Sequence, residues 1–257
     1  MNLVKLLAVL SLFFVSDLIA QKQSDAVVQQ SVRKGVIYKN ENSFDIAIHS
    51  NGLYLGYNIG KIKFYYLTKY IHFDIGMLKH PKEKRISQIY NQNNSLSRYT
   101  FGKQNLLINI RAGRGLIRYY SEKTKRKGVA VGLRMEGGLT VGLLKPYYLD
   151  VLSEHDGKVK TVAIKYSPET AADFLDPNHI IGESSFWKGV NEIKFKPGAF
   201  GRIALTLDPG AFEKYVQALN VGLQADIFAQ RVPILVTDNN PFLLMNFFIN
   251  LQFGRRK

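Results

Sequence analysis

The chain has 257 residues, 46% of them hydrophobic and 12% aromatic, and carries a net charge of +15. That apolar content excludes a disordered chain, and a mean hydropathy of −0.10 argues against a multi-pass helical membrane protein. With no cysteine, disulfides, thiolate metal sites, cysteine nucleophiles and a lipid-modified N-terminal cysteine are excluded.

Residues 1–20 pair a cation, Lys5, with the apolar run 6–15 and end on the small Ala20 before a polar stretch. This is the layout of a cleaved secretory signal. The alternative, a membrane anchor, suffers because the run is short for roughly 30 Å of hydrocarbon. Residues 21–40 read as a polar lead-in segment, expected in the periplasm.

From there the chain alternates with period two, the mark of strands with two different faces. The expected strands are 44–49, 53–60, 70–77, 106–113, 129–143, 199–208, 215–227 and 245–253. In 129–143 the odd row holds Val129, Val131, Leu133, Met135, Leu139, Val141 and Leu143. The even row holds Ala130, Arg134, Glu136, Thr140 and glycines. Across the strands the polar row is rich in Gly, Asn and Gln, with single charges. Glycine serves a strand poorly unless space is tight, and the lumen of a small barrel is tight. Lipid outside and a packed polar lumen explain both rows. The expected fold is therefore all-β: a closed antiparallel transmembrane β-barrel of eight strands, residues 41–257. A soluble barrel or sandwich is the competing reading.

The long connections, 80–104 and 151–191, both join an odd strand to an even one, so they share a rim. In outer-membrane barrels that rim is extracellular, which puts both termini in the periplasm. Residues 158–167 are strand-like too, and are expected to form a hairpin with 145–152 above the membrane. The alternative is a ten-stranded barrel with its tenth strand in 31–40 or 85–104. Tyr65, Tyr66, Tyr70, Tyr119, Tyr120, Tyr147, Tyr148 and Phe242 cluster at strand ends, where amphipathic rings suit a membrane interface.

The inward rows carry Asp45, Asp74, Glu136 and Asp226, with Asp208 near the rim. They also carry Arg111, Arg134 and Arg202, with His49 and His72 able to join. The charges nearly cancel, so the expected lumen is a network of paired charges rather than a selective pore. His49 with Asp45, and His72 with Asp74, also have the makings of a metal or acid–base pair, but a structural network is the simpler reading, with no metal and no cofactor. Barrel enzymes that deacylate lipid A place a His and the Ser it activates two apart on one strand. None of His49, His72, His80, His155 and His179 is followed by such a serine, so no enzyme is expected.

Basic residues gather at 123–127, at Arg255, Arg256 and Lys257, and around Lys79, Lys82, Lys84 and Arg85. After export, nucleic acid is an implausible partner. Outer-membrane lipids, lipopolysaccharide phosphates or other outer-membrane and periplasmic proteins fit better. The more acidic 151–191 loop carries the only tryptophan, and Phe186–Trp187 is the candidate partner contact.

These features resemble the small outer-membrane β-barrels of the Bacteroidota. The likeness rests on the Ala20-Gln21 boundary, on Arg33-Lys34-Gly35 leading to Ser50-Asn51-Gly52, on the turn His80-Pro81-Lys82-Glu83, and on the closing Leu251-Gln252-Phe253-Gly254-Arg255-Arg256. It spans most of 31–257. The resemblance implies a structural or accessory subunit of a larger outer-membrane assembly. A small transporter or channel is the second expectation, and a lipid-modifying barrel enzyme the third.

Overall fold

A computed structural model describes residues 38–257, apart from 91–94, 122–127, 156–157 and 238–239. The expected signal peptide and nearly all of the 21–40 segment lie outside the described residues. Period-two rows cannot wind into helices without mixing apolar and polar residues, and they form strands throughout. The barrel wall uses β1 (Asn40–His49), β2 (Gly52–Phe64), β3 (Leu67–Leu78), β6 (Asn105–Tyr119), β7 (Ala130–Pro146), β11 (Lys194–Asp208), β12 (Tyr215–Phe228) and β13 (Leu243–Arg256). These are the eight expected strands, most of them longer than the alternation alone marks. They pair antiparallel in the closed order β1-β13-β12-β11-β7-β6-β3-β2.

Register sets the tilt of the wall. The pairing line from Phe44 runs through Tyr57, Phe73, Ala112, Leu139, Ala199 and Ile227 to Leu243. Yet Phe44 itself pairs with Phe253 on the same strand, ten residues further on. A stagger of that size tilts strands by about 40° in an eight-stranded barrel. Every residue on that line belongs to the outward row. The row forms a continuous apolar belt, with Leu139 at 72% and Ile48 at 71% exposure. So wide an apolar surface is stable against lipid hydrocarbon and not against water.

All elaboration sits at one rim. The connections 50–51, 79–104, 147–193 and 229–242 share it, and the connections 65–66, 120–129 and 209–214 share the other with the chain end. Above the loop rim, β4 (Arg85–Tyr90) and β5 (Ser95–Thr100) form a hairpin. A second small sheet has the order β10-β8-β9, from β8 (Tyr148–His155), β9 (Lys158–Lys165) and β10 (Ile180–Glu183). A one-turn helix, α1 (Ala171–Phe174), packs Phe174 beneath it.

Two expectations need correction. Residues 85–104 supply no tenth wall strand, because the barrel already closes through β1 and β13 and the strands of this segment, β4 and β5, pair with each other above the rim. The upper hairpin starts at Tyr148 rather than 145, since Lys145 and Pro146 still pair with β6. It also gains a third strand, β10, whose register on β8 shifts between Ile180 and Gly182.

Candidate functional site

Tilt and alternation bring inward side chains from all eight wall strands to one level of the lumen. Arg111 grips Asp226 with two bonds, Nε to Oδ1 at 2.7 Å and Nη2 to Oδ2 at 3.0 Å, and reaches Asp74 with Nη1 at 2.8 Å. Arg202 bonds Asp74 (2.7 Å) and Glu136 (3.0 Å), and its Nε donates to Gln224 at 2.7 Å. Arg134 bonds Glu136 (2.5 Å), Asp45 (2.7 Å) and Gln252 (3.1 Å). Tyr70 donates to Glu136 at 2.8 Å. His72 sits between Asn58 (2.6 Å) and Asp74 (2.7 Å). The guanidinium fork suits this work because it can serve several carboxylates at once.

Eight of the nine lumen residues expected from sequence thus come together: Asp45, His72, Asp74, Arg111, Arg134, Glu136, Arg202 and Asp226. His49 does not join. It stands four residues up β1 from Asp45, where its Nδ1 accepts from the Asn51 amide at 3.3 Å and its ring stacks on Tyr54. Asn58, Gln224, Gln252 and Ser43 also belong to the network and were not singled out by sequence, because neutral polar residues at inward positions carry no charge signal, while Tyr70, expected at the membrane interface, instead turns its buried ring into the lumen.

Asp45, His72 and Glu136 place one ligand-type atom each within 4.8 Å of one another. Those groups already bond Arg134, Arg202 and Asn58. Arginine side chains therefore hold the ground that a metal cation would need.

A second cluster lies at the terminal rim. Arg256 bonds Glu41 at 2.7 Å, Asp208 at 3.0 Å and the Gly210 carbonyl at 2.7 Å. Tyr119 also donates to Asp208, at 2.8 Å. At the loop rim the lumen turns apolar. Leu78, Leu107, Leu144, Phe228 and Leu244 point inward and pack on Val232 and Ile234 of the 229–242 connection, both fully buried. Asn240 holds that connection in shape by accepting from the Ile234 and Leu235 amides.

Among solved structures, the chain is similar to Ail, the attachment invasion locus protein of Yersinia pestis, determined in complex with the heparin analogue sucrose octasulfate. Identity is 10%, the match covers 85% of this chain and 99% of Ail, and the TM-score is 0.35. It is also similar to Neisserial surface protein A, at 9% identity over 85% of this chain and 93% of that one, with a TM-score of 0.32. No family profile and no curated protein matches the chain.

The loop-rim tier is an ordered platform. Tyr99, Tyr147, Leu149, Val151, Phe174 and Ile180 form its own small core. Burial pushes the Tyr147 hydroxyl up to about 12, and its oxygen accepts from the Thr100 amide at 3.2 Å. On the flank of the platform, Phe186 is 50% exposed and Trp187 78%, the two rings meeting edge to face. Lys145 lies 4.8 Å over the Phe186 ring.

Proposed function

We propose that this protein is a bacterial outer-membrane β-barrel with a plugged lumen, acting as a structural or accessory subunit of an outer-membrane assembly. The single observation behind this reading is the filling of the lumen. Three arginines and four carboxylates are cross-bonded at its centre, an apolar layer closes one end, and the Arg256 cluster closes the other. A conducting pore needs a continuous wet path, commonly lined by one sign of charge. A lumen so filled leaves the outer tier as the working surface. The resemblance to Bacteroidota barrels supports the accessory role, and no catalytic activity is assigned.

Outer-membrane lipids and lipopolysaccharide are the surrounding partners, and Phe186–Trp187 is the proposed protein contact. Aromatic pairs this exposed are favoured anchors at interfaces. Two measurements test the reading. In planar bilayers the purified protein should give no unitary conductance, and stepwise openings would overturn the plugged lumen. A mild-detergent pull-down from native membranes should recover a larger complex. The double change Phe186→Ala and Trp187→Ala should weaken that recovery while leaving a folded barrel. Recovery only as a free monomer would overturn the accessory role.

A further inference from the structure

Lys61, Lys69, Arg114 and Arg118 stand together on the outward face near the terminal rim. Lys61 of β2 pairs directly with Lys69 of β3. On the other side of Lys69, β6 places Leu116 opposite it, with Arg118 opposite Leu67 and Arg114 opposite Ile71. Lys69 is thus flanked diagonally by both arginines. All four are exposed. Like charges facing each other across a strand pair destabilise it unless something neutralises them.

The protein supplies no counter-charge from these strands. The outward rows of β2, β3 and β6 contain no Asp or Glu, and neither do those of the flanking β1 and β7. The arginines of the described lumen and rim ion pairs are Arg111, Arg134, Arg202 and Arg256, all inward. Among the described residues these wall strands offer no carboxylate to the patch, which leaves it open to an anion from outside the barrel wall.

The position says what kind of anion. Ile59, Ile71 and Ile110, on the same outward rows, belong to the apolar belt. Lys61, Lys69 and Arg118 mark its lower edge. Arg114 stands four residues above Arg118, about 10 Å higher along the barrel axis at this tilt. A long guanidinium side chain at that depth turns its head toward the interface. A ligand filling the patch must lay apolar chains on the belt and bring a negative group to its edge.

From this juxtaposition we infer that Lys61, Lys69, Arg114 and Arg118 form a binding site for the phosphate headgroup of an anionic phospholipid in the leaflet on the terminal-rim side. The inference rests on the transmembrane reading. The site differs from an acidic-protein contact because the isoleucines and Leu116 face acyl chains rather than a polar surface. Its affinity is electrostatic and falls with ionic strength.

The test uses the full mature barrel in mixed vesicles of phosphatidylethanolamine and phosphatidylglycerol, followed by release and native mass spectrometry of retained lipid. Heat-modifiable migration reports integration. Wild type should retain phosphatidylglycerol in preference to phosphatidylethanolamine. The pair Lys69→Gln and Arg114→Gln should cut that retention roughly 25-fold, about fivefold for each cation. Lys79→Gln, just past the opposite end of β3, should leave it unchanged. If the first pair fails to integrate, Lys61→Gln with Arg118→Gln repeats the measurement at the edge of the belt. Equal retention by an integrated variant, or an equal loss in Lys79→Gln, would overturn the site alone. A wild type that never integrates would instead remove the membrane reading and the site with it.

Discussion

The ring of Tyr70 crosses β6 at Gly115, so close that a methyl group there would fall 2.3 Å from Tyr70 Cζ. The missing side chain on one strand is what lets the hydroxyl of another reach Glu136. Gly115→Ala should therefore displace Tyr70 and break a buried bond to a charged group. Overpacking costs about 1–3 kcal/mol and the lost bond adds to it. Tyr70→Phe removes the bond alone and should be the milder change. Thermal loss of the heat-modifiable form measures both. Equal stability of Gly115→Ala and wild type would mean that the ring lies elsewhere.

The central network should resist removal of one partner more than removal of two. Arg111→Met leaves Asp226 buried with only the Gln224 amide as donor, at 2.7 Å. Breaking a buried ion pair in this way costs about 3–5 kcal/mol. Adding Asp226→Leu removes the orphaned charge and should recover part of the loss, because an apolar replacement of similar volume is often neutral. A urea titration of the single and double variants reads the difference. A double variant no more stable than Arg111→Met would show that the orphaned Asp226 charge is not the source of the loss.

The lipid belt yields a graded prediction. Leu223 faces outward between Ile203 and Phe247, within the belt. Leu223→Arg should cost about 2–4 kcal/mol and block integration. Leu133 also faces outward but pairs with Arg118 at the lower edge. Leu133→Arg should cost less, since charge near the interface costs about 0–1 kcal/mol and repulsion from the facing Arg118 adds only modestly to it. Gly222→Arg fails for a different reason. It faces the lumen, where even a Cβ would meet the Ile203 carbonyl at 2.0 Å. If Leu223→Arg integrated as well as Leu133→Arg, the belt would not be facing hydrocarbon.

That gradient also marks what the sequence could and could not convey. Alternation alone identifies the eight strands and the inward row, because lipid and lumen select opposite residue types at every second position. It says nothing of height. His49 and Asp45 share a face, yet only the tilt reveals that four residues of rise take His49 out of the network. The ten-residue stagger likewise decides that Arg134 meets Asp45 from across the barrel, and no local pattern carries it. The 229–242 connection is illegible for another reason. Val232 and Ile234 lie in a short segment broken by Pro233 that reads as loop, and they become core only where five inward side chains from other strands meet them.

At the loop rim, acid should loosen the turn after β3. The Lys82 amide donates to His80 Nδ1 at 3.1 Å, which needs the neutral imidazole, and the His80 amide donates to Glu83 at 3.0 Å. Burial holds the His80 ring below its ordinary value of 6.5. A lowered folded-state value means that the unfolded turn binds protons first. The turn is thus fully stabilised above about 6.5 and loses that contribution as the pH falls below it. Hydrogen exchange at the Lys82 amide should accelerate over that window, beyond the intrinsic rate change, and His80→Asn should flatten the response. A pH-independent protection factor would contradict the assignment of Nδ1 as acceptor.

Sidedness follows from the clustering of all elaborated connections at one rim. If that rim faces the outside, as proposed, trypsin added to intact cells should cut within 147–193, where Lys160 and Lys188 are exposed. The basic segment 122–127, between the ends of β6 and β7 at the opposite rim, should be spared until the cells are permeabilised. The exposed Phe186–Trp187 pair lies next to Lys188, so a partner seated there should shield that cleavage site. The change Phe186→Ala with Trp187→Ala should unmask it, while the barrel stays heat-modifiable because the wall ladder is untouched. Cleavage at 122–127 on intact cells would invert the topology. It would also move the anionic-headgroup site to the outer leaflet, where the charges of lipopolysaccharide rather than phospholipid would meet Lys69 and Arg114.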